Sequence, residues 1–122
     1  MKLHASGPTA AQTITAYGDD YVAVNGQRRE SSLVVLPDRV IDWQAKDFDS
    51  LTREDFDFLK DLHAEIILLG TGARQRFPHP RLTAPLAAAR IGLEVMDLKA
   101  ACRTYNILVA EERKVIAALL FA

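Results

Sequence analysis

One cysteine, Cys102, stands alone in a chain of 122 residues. No internal disulfide can form, and nothing in the sequence points to an oxidising compartment. Long apolar runs are also missing. The longest, Val115 to Ala122, has eight residues, far short of the roughly 18 needed to cross a bilayer. The first residues, MKLHASGPTAAQ, hold neither the apolar segment of a secretory signal nor an arginine-rich amphipathic presequence. These absences predict a cytoplasmic protein that does not span a membrane. A large net charge is absent too: 15 basic and 16 acidic residues leave −1, which argues against nucleic acid as a partner. The three histidines, His4, His63 and His79, are scattered and give no zinc-ligand spacing with the lone cysteine. No metal and no cofactor is expected. No nucleophile-elbow pattern occurs, and no catalytic residue is assigned.

What is present is ordinary for a globular protein, with 49% apolar and 25% charged residues. The length fits a single domain over residues 1–122. Such a chain buries roughly two thirds of its unfolded surface and needs no metal or disulfide to hold it together. Residues 1–12 are small, polar and aperiodic and read as a loosely ordered lead-in.

The next segment has β character. Thr13 to Ala16 and Tyr21 to Val24 are short strand-like runs separated by Gly18-Asp19-Asp20, a turn signal. Asn25-Gly26 comes next, and both residues tolerate the positive φ of a tight hairpin turn. Ser32 to Leu36 is a further strand, stopped by Pro37, and Val40 to Trp43 another short one. Thr52 then caps a helix running to about His63, with Asp55 three residues on, close to a capping box. Glu65 to Leu69, EIILL, is a continuous apolar run and fits a strand buried on both faces. A helix over Thr83 to Arg90, with Pro85 in its first turn, is closed by Gly92. Leu93 to Met96 is the next strand. Leu98, Ala101, Cys102, Tyr105, Leu108 and Val109 recur at helical spacing over roughly 98–113. Val115 to Phe121 is apolar at almost every position and is read as a last buried strand. The order predicts an α/β domain of three layers, with a central mixed, mostly parallel sheet, helices on both faces and an N-terminal β-hairpin region.

The charge is unevenly placed. Residues 1–61 carry a net −4 and residues 62–122 a net +3, and no acid lies between Glu65 and Glu94. Inside that window sits LLGTGARQRFPHP, residues 68–80. Gly70-Thr71-Gly72 after a buried run suggests a phosphate loop. A dinucleotide fingerprint, however, wants a third glycine where Gln75 stands and a helix opening at once, and a Walker loop wants Gly-Lys-Ser or Gly-Lys-Thr. Neither pattern is met. The stretch remains open between a plain exit turn from a strand and an anion or partner site using loop N–H groups with Arg74, Arg76 or Arg81. Phe77-Pro78-His79-Pro80 stiffens it, and His79 reads as a surface histidine. Cys102, on the apolar stripe of its helix, reads as packing rather than nucleophile. Thr104 and Asn106 are polar interruptions of that helix, either solvated or hydrogen-bonded to a neighbouring loop.

Residues 94–113, EVMDLKAACRTYNILVAEER, together with Ser32, Trp43 and Gly70-Thr71-Gly72, carry a resemblance. They are similar to a family of small Mth-type domains of unknown molecular function that includes mitochondrial complex I assembly factor 3 and the adipogenesis-associated Mth-domain protein. The resemblance spans about residues 30–121. It implies a three-layer α/β domain around a mixed sheet whose last strand runs against its neighbours. It also implies that the Gly-Thr-Gly loop lies near the start of the helix bearing Thr104 and Asn106. No established catalysis comes with it; what it implies is a role in assembly through a protein partner. The expected ligand or partner loop is therefore Gly70, Thr71, Gly72, Arg74 and Arg76, with Thr104 and Asn106. Two positions depart from the family pattern. Leu98 replaces a threonine cap, for which Asp97 can substitute, and Glu112 replaces a helix-ending glycine, so that the helix is expected to end differently or later.

Overall fold

The computed structural model describes residues 11–121. The chain order is β1 (Ile14–Tyr17), β2 (Val22–Val24), β3 (Gln27–Arg29), β4 (Leu33–Val35), β5 (Val40–Asp42), α1 (Arg53–Lys60), β6 (Ile66–Thr71), α2 (Pro80–Ala88), β7 (Gly92–Met96), α3 (Leu98–Ala110) and β8 (Val115–Leu120). β1, β2 and β3 form a small antiparallel sheet, and the other five strands form the main sheet in the order β5-β4-β8-β6-β7.

The main sheet is mixed. β6 pairs in parallel with β7 on one side and β8 on the other, whereas β8–β4 and β4–β5 are antiparallel. The expectation that the last strand runs against its neighbours is corrected on one side: β8 opposes β4 but runs with β6. The long α3 crossover returns the chain to the end of the sheet at which β6 begins, which permits β8 to pair with it in parallel.

Period-two alternation sorts the strands onto two cores. Leu33, Val35, Leu68, Val115, Ala117 and Leu119 face α3 and the β1–β2 hairpin, meeting Ala101, Cys102, Tyr105, Ile14, Val22 and Val24. Val34, Ile67, Leu69, Ile116, Ala118 and Leu120 face α1 and α2, meeting Phe56, Leu59 and Leu86. Side chains such as Phe56 and Leu59, buried completely, each stabilise the fold by roughly 1.5–3 kcal/mol. The layers are α1 and α2, the sheet, and α3 with the small sheet beside it.

Local chemistry sets the ends. Thr52 caps α1 in a complete capping box, its Oγ1 accepting from Asp55 N while Asp55 Oδ2 accepts from Thr52 N at 2.9 Å. Asp97 caps α3, its Oδ1 accepting from Ala100 N at 2.9 Å, which makes good the missing threonine. Asn25 and Gly26, with φ of 49° and 83°, form the tight turn that twist-matched hairpins use, and they lead into β3, a strand of polar residues.

Several boundaries differ from the sequence expectation. α1 ends at Lys60 rather than near His63, which takes φ 61° in the turn beyond the helix. α2 begins at Pro80, with His79 as its cap, so Pro85 falls in the interior rather than in the first turn. Gly92 opens β7 instead of closing α2, and the left-handed residue after the helix is Arg90, φ 59°. α3 stops at Ala110, not near 113. Glu112 then takes φ 62°, with Glu112 N donating to Val109 O and Arg113 N to Leu108 O. That is the hydrogen-bond pattern of a Schellman cap, made here on a glutamate. Residues 1–10 of the expected lead-in lie outside the described residues. Its last residue, Gln12, is tied down on both sides, its N–H donating to Pro37 O and its carbonyl accepting from Tyr105 Oη, each at 2.9 Å.

Candidate functional site

The carboxyl ends of β6 and β7 lie side by side, and the chain leaves them for opposite faces of the sheet: to α2 after β6, to α3 after β7. In open α/β sheets such a point is where ligand sites form. The Gly-Thr-Gly stretch lies here, but it is not a loop throughout. Gly70 and Thr71 are the last residues of β6. Only Gly72 turns, at φ 82°.

Gly70 is a packing residue. A Cβ built on it would stand 3.0 Å from Leu119 Cδ2, 3.1 Å from Ala101 Cβ and 3.4 Å from the Leu98 backbone. The absence of a side chain lets α3 settle onto β6 and β8. Thr71 is buried, and its hydroxyl organises the next five residues. Oγ1 donates to Arg74 O at 2.6 Å, accepts from Arg76 N at 3.1 Å and lies 3.3 Å from Met96 O. Gly72 O accepts from Leu98 N at 2.8 Å, joining the exit of β6 to the first turn of α3. The resemblance places this turn near the start of α3, and that bond does so.

The basic residues divide. Arg76 is held: its guanidinium bonds Asp49 Oδ1 at 2.7 Å and lies 4.2 Å over the Phe48 ring. Arg74 is exposed and makes no ion pair among the described residues. Gln75 donates to Val95 O at 2.8 Å, fixing the loop to β7. Phe77, in contrast, is 70% exposed, and no other large apolar side chain among the described residues reaches that value. His79 serves as the α2 cap, its Nδ1 accepting from Arg81 N at 3.1 Å.

Asn106 does not join the loop. Its side chain clamps β1, with Oδ1 accepting from Ile14 N at 2.9 Å and Nδ2 donating to Ile14 O at 2.8 Å. Its partner is a neighbouring strand rather than the Gly-Thr-Gly stretch. Thr104 is half-buried on the same helix and makes no side-chain hydrogen bond among the described residues. Cys102 is fully buried, and burial pushes its thiol up to about 12 against the opposing pull of Arg103. A thiol held that firmly protonated is not a nucleophile at neutral pH.

A hollow of about 290 Å³ opens beside Gly72, walled by Gly18, Asp19, Asp97, Lys99 and Arg103. Of the residues expected from the sequence, Gly72 alone lines it. Lys99 and Arg103 fall inside the stretch that carries the resemblance, but neither is among the site residues expected from the sequence. Lys99 bonds Asp19 at 3.0 Å, and Arg103 lies 3.5 Å from Tyr17 Oη. Among the described residues, no three His, Cys, Asp or Glu side chains gather as a metal site would require, and no helix is long and apolar enough to cross a membrane.

Fold and site together define a small three-layer α/β domain with a pinned, arginine-bearing loop at the switch between its parallel strands. The chain belongs to the family described as protein of unknown function (DUF498/DUF598), whose model matches residues 14–120. Its curated relatives include NADH dehydrogenase [ubiquinone] 1 alpha subcomplex assembly factor 3 of Bos taurus, 31% identical over 112 residues, or 90% of this chain and 61% of that protein. Another is a 13 kDa major membrane protein of Francisella tularensis, 34% identical over 85 residues, or 68% of this chain and 69% of that one. The chain thus spans about three fifths of the assembly factor's length. Among solved structures, a Bordetella parapertussis protein is 40% identical with a TM-score of 0.87, covering 93% of this chain and 98% of that one. A Xanthomonas campestris protein is 34% identical with a TM-score of 0.82, covering 98% and 91%.

Proposed function

We propose that the domain is a non-enzymatic docking module for protein assembly, and that the 74–81 loop with the adjoining β7 is its contact surface. One observation carries this reading: a large aromatic, Phe77, is held out to solvent on a loop that Thr71, Gln75 and Arg76 hold in place. A rigid, exposed aromatic loses little entropy on binding and is the kind of residue that anchors an interface. The relatives named as assembly factors support the reading, and a role in building a respiratory complex is its most specific form. The test is affinity purification of the tagged chain from its native cell beside Phe77→Ser. The expected result is a partner retained by the unaltered chain and lost with the variant. Recovery of no partner, or of the same partner with both, would overturn it.

A second reading, a binding site for a small anion, is favoured by the hollow beside Gly72 with Lys99 and Arg103 on its wall. Thermal shift with inorganic phosphate and a panel of carboxylates, with Lys99→Ala as control, separates the two. Stabilisation lost in the variant supports the anion site, and no stabilisation by any of them sinks it.

A further inference from the structure

We propose that β7 is an open docking edge, to which an acidic, extended segment of a partner protein adds as a further strand, seating an apolar side chain against Phe77. This rests on the docking reading above and deepens it.

β7 ends the main sheet, and no described strand covers its outer side. Its hydrogen-bonding direction is fixed by two contacts. Gly92 N donates inward to Glu65 O at 3.0 Å, and Val95 O accepts from outside, from Gln75 Nε2. Alternation then turns the N–H groups of Leu93 and Val95 and the carbonyl of Leu93 outward, free to pair. Proline and lysine, two common guards of an edge, are absent from Gly92–Met96; Glu94 is its one charge, and Gln75 covers it at the Val95 carbonyl alone. At the opposite edge, β5 has three residues and comes directly after Asp38 and Arg39.

Beside the edge, on the α2 face, lies a hollow of about 400 Å³ whose lining includes Gln75, Phe77, Pro80, Leu93, Glu94 and Val95. Leu93 and Val95 point their side chains to that face. An added strand would present every second side chain there, and an apolar one would cover Phe77. The flanks decide the charge. Arg90 stands two residues before β7, Arg74 adjoins Gln75 and Arg81 adjoins Pro80, three bases against one acid within the strand, Glu94, which also lines the hollow. An acidic segment matches this flank. A second copy of the chain would set arginines against arginines, which disfavours self-pairing.

The test uses isotopically labelled protein and a pool of short synthetic peptides that alternate apolar residues with glutamate, beside a pool with lysine in place of glutamate. The expected result is that glutamate peptides slow exchange of the Leu93 and Val95 amides by at least about tenfold while lysine peptides do not. Leu93→Pro, which removes an outward donor together with an apolar side chain of the hollow, and Phe77→Ser should each weaken binding by about tenfold or more. Unchanged β8 amide signals would verify that both variants fold. Three results would overturn strand addition: no protection of β7 by any peptide, protection confined elsewhere, or β7 protection without peptide in a chain that sediments as a dimer. A native partner that is lost with Phe77→Ser but not with Leu93→Pro would also overturn it, while leaving the docking reading intact.

Discussion

Asn106 holds Ile14 by both of its backbone polar groups, accepting from its N–H at 2.9 Å and donating to its carbonyl at 2.8 Å. A side-chain amide here imitates a neighbouring strand, and it binds the small sheet to α3 across 92 residues of sequence. Asn106→Ala leaves both groups of Ile14 unpaired and should cost roughly 1–3 kcal/mol. The urea midpoint should fall, and the Ile14 amide should exchange faster than those of β8. Asn106→Asp keeps the acceptor but sets a carboxylate against the Ile14 carbonyl, and should be no less damaging.

Gly70→Ala should destabilise by about 1–3 kcal/mol through overpacking. The added methyl meets Leu119, Ala101 and the Leu98 backbone on three sides. A drop in thermal midpoint without any change in the far-ultraviolet spectrum is the expected signature. Unchanged stability would show that α3 can slide away from the sheet.

Glu112→Gly should have the opposite sign. Glu112 occupies the left-handed region at φ 62°, where a side chain costs about 1–2 kcal/mol that glycine avoids. The variant restores the helix-ending glycine of the family pattern and should raise the thermal midpoint by a few degrees. Glu112→Ala, which keeps the Cβ, should not.

The stability of the folded chain should decline at alkaline pH. Burial raises the Cys102 thiol from 9.0 to about 12 and raises the Tyr105 phenol as well. Both groups are neutral when protonated, and the unfolded chain gives up these protons first. Their contribution is therefore fully present below the unfolded values and is lost as pH rises through the folded ones. Urea midpoints should be flat near neutrality and fall between about pH 9 and 12. Thiol labelling at neutral pH should track global unfolding.

Much of this fold is legible in the sequence because its signals are local. Thr52 and Asp55 announce a helix start by spacing alone, and EIILL and VIAALLF are short apolar runs that suit strands buried on two faces. β3 gives no such signal, because Gln27, Arg28 and Arg29 are polar residues with no buried face to produce alternation. Gly70 and Thr71 read as loop because glycine usually ends a strand, whereas here it serves the approach of a helix from another part of the chain. Pro80 reads as loop too, because its role as a helix opener depends on His79, whose ring nitrogen acts as the cap. In the candidate site the sequence locates the turn at Gly72, and the resemblance locates its proximity to α3. Neither reveals the partner of Asn106, since a contact 92 residues away leaves no pattern in either segment. Nor is there any hint that Lys99 and Arg103 stand over a hollow.

The position of β8 bears on how the protein comes into being. It is the last of the described strands in sequence and the middle one in space, with β4 on one side and β6 on the other. During synthesis every other described element leaves the ribosome before it. Until it arrives, β4–β5 and β6–β7 are two separate ribbons with unpaired inner edges and exposed apolar faces. The main sheet therefore cannot close until Leu120 is out, and a transcript cut short before Val115 would yield a product for chaperones and proteases rather than a smaller domain.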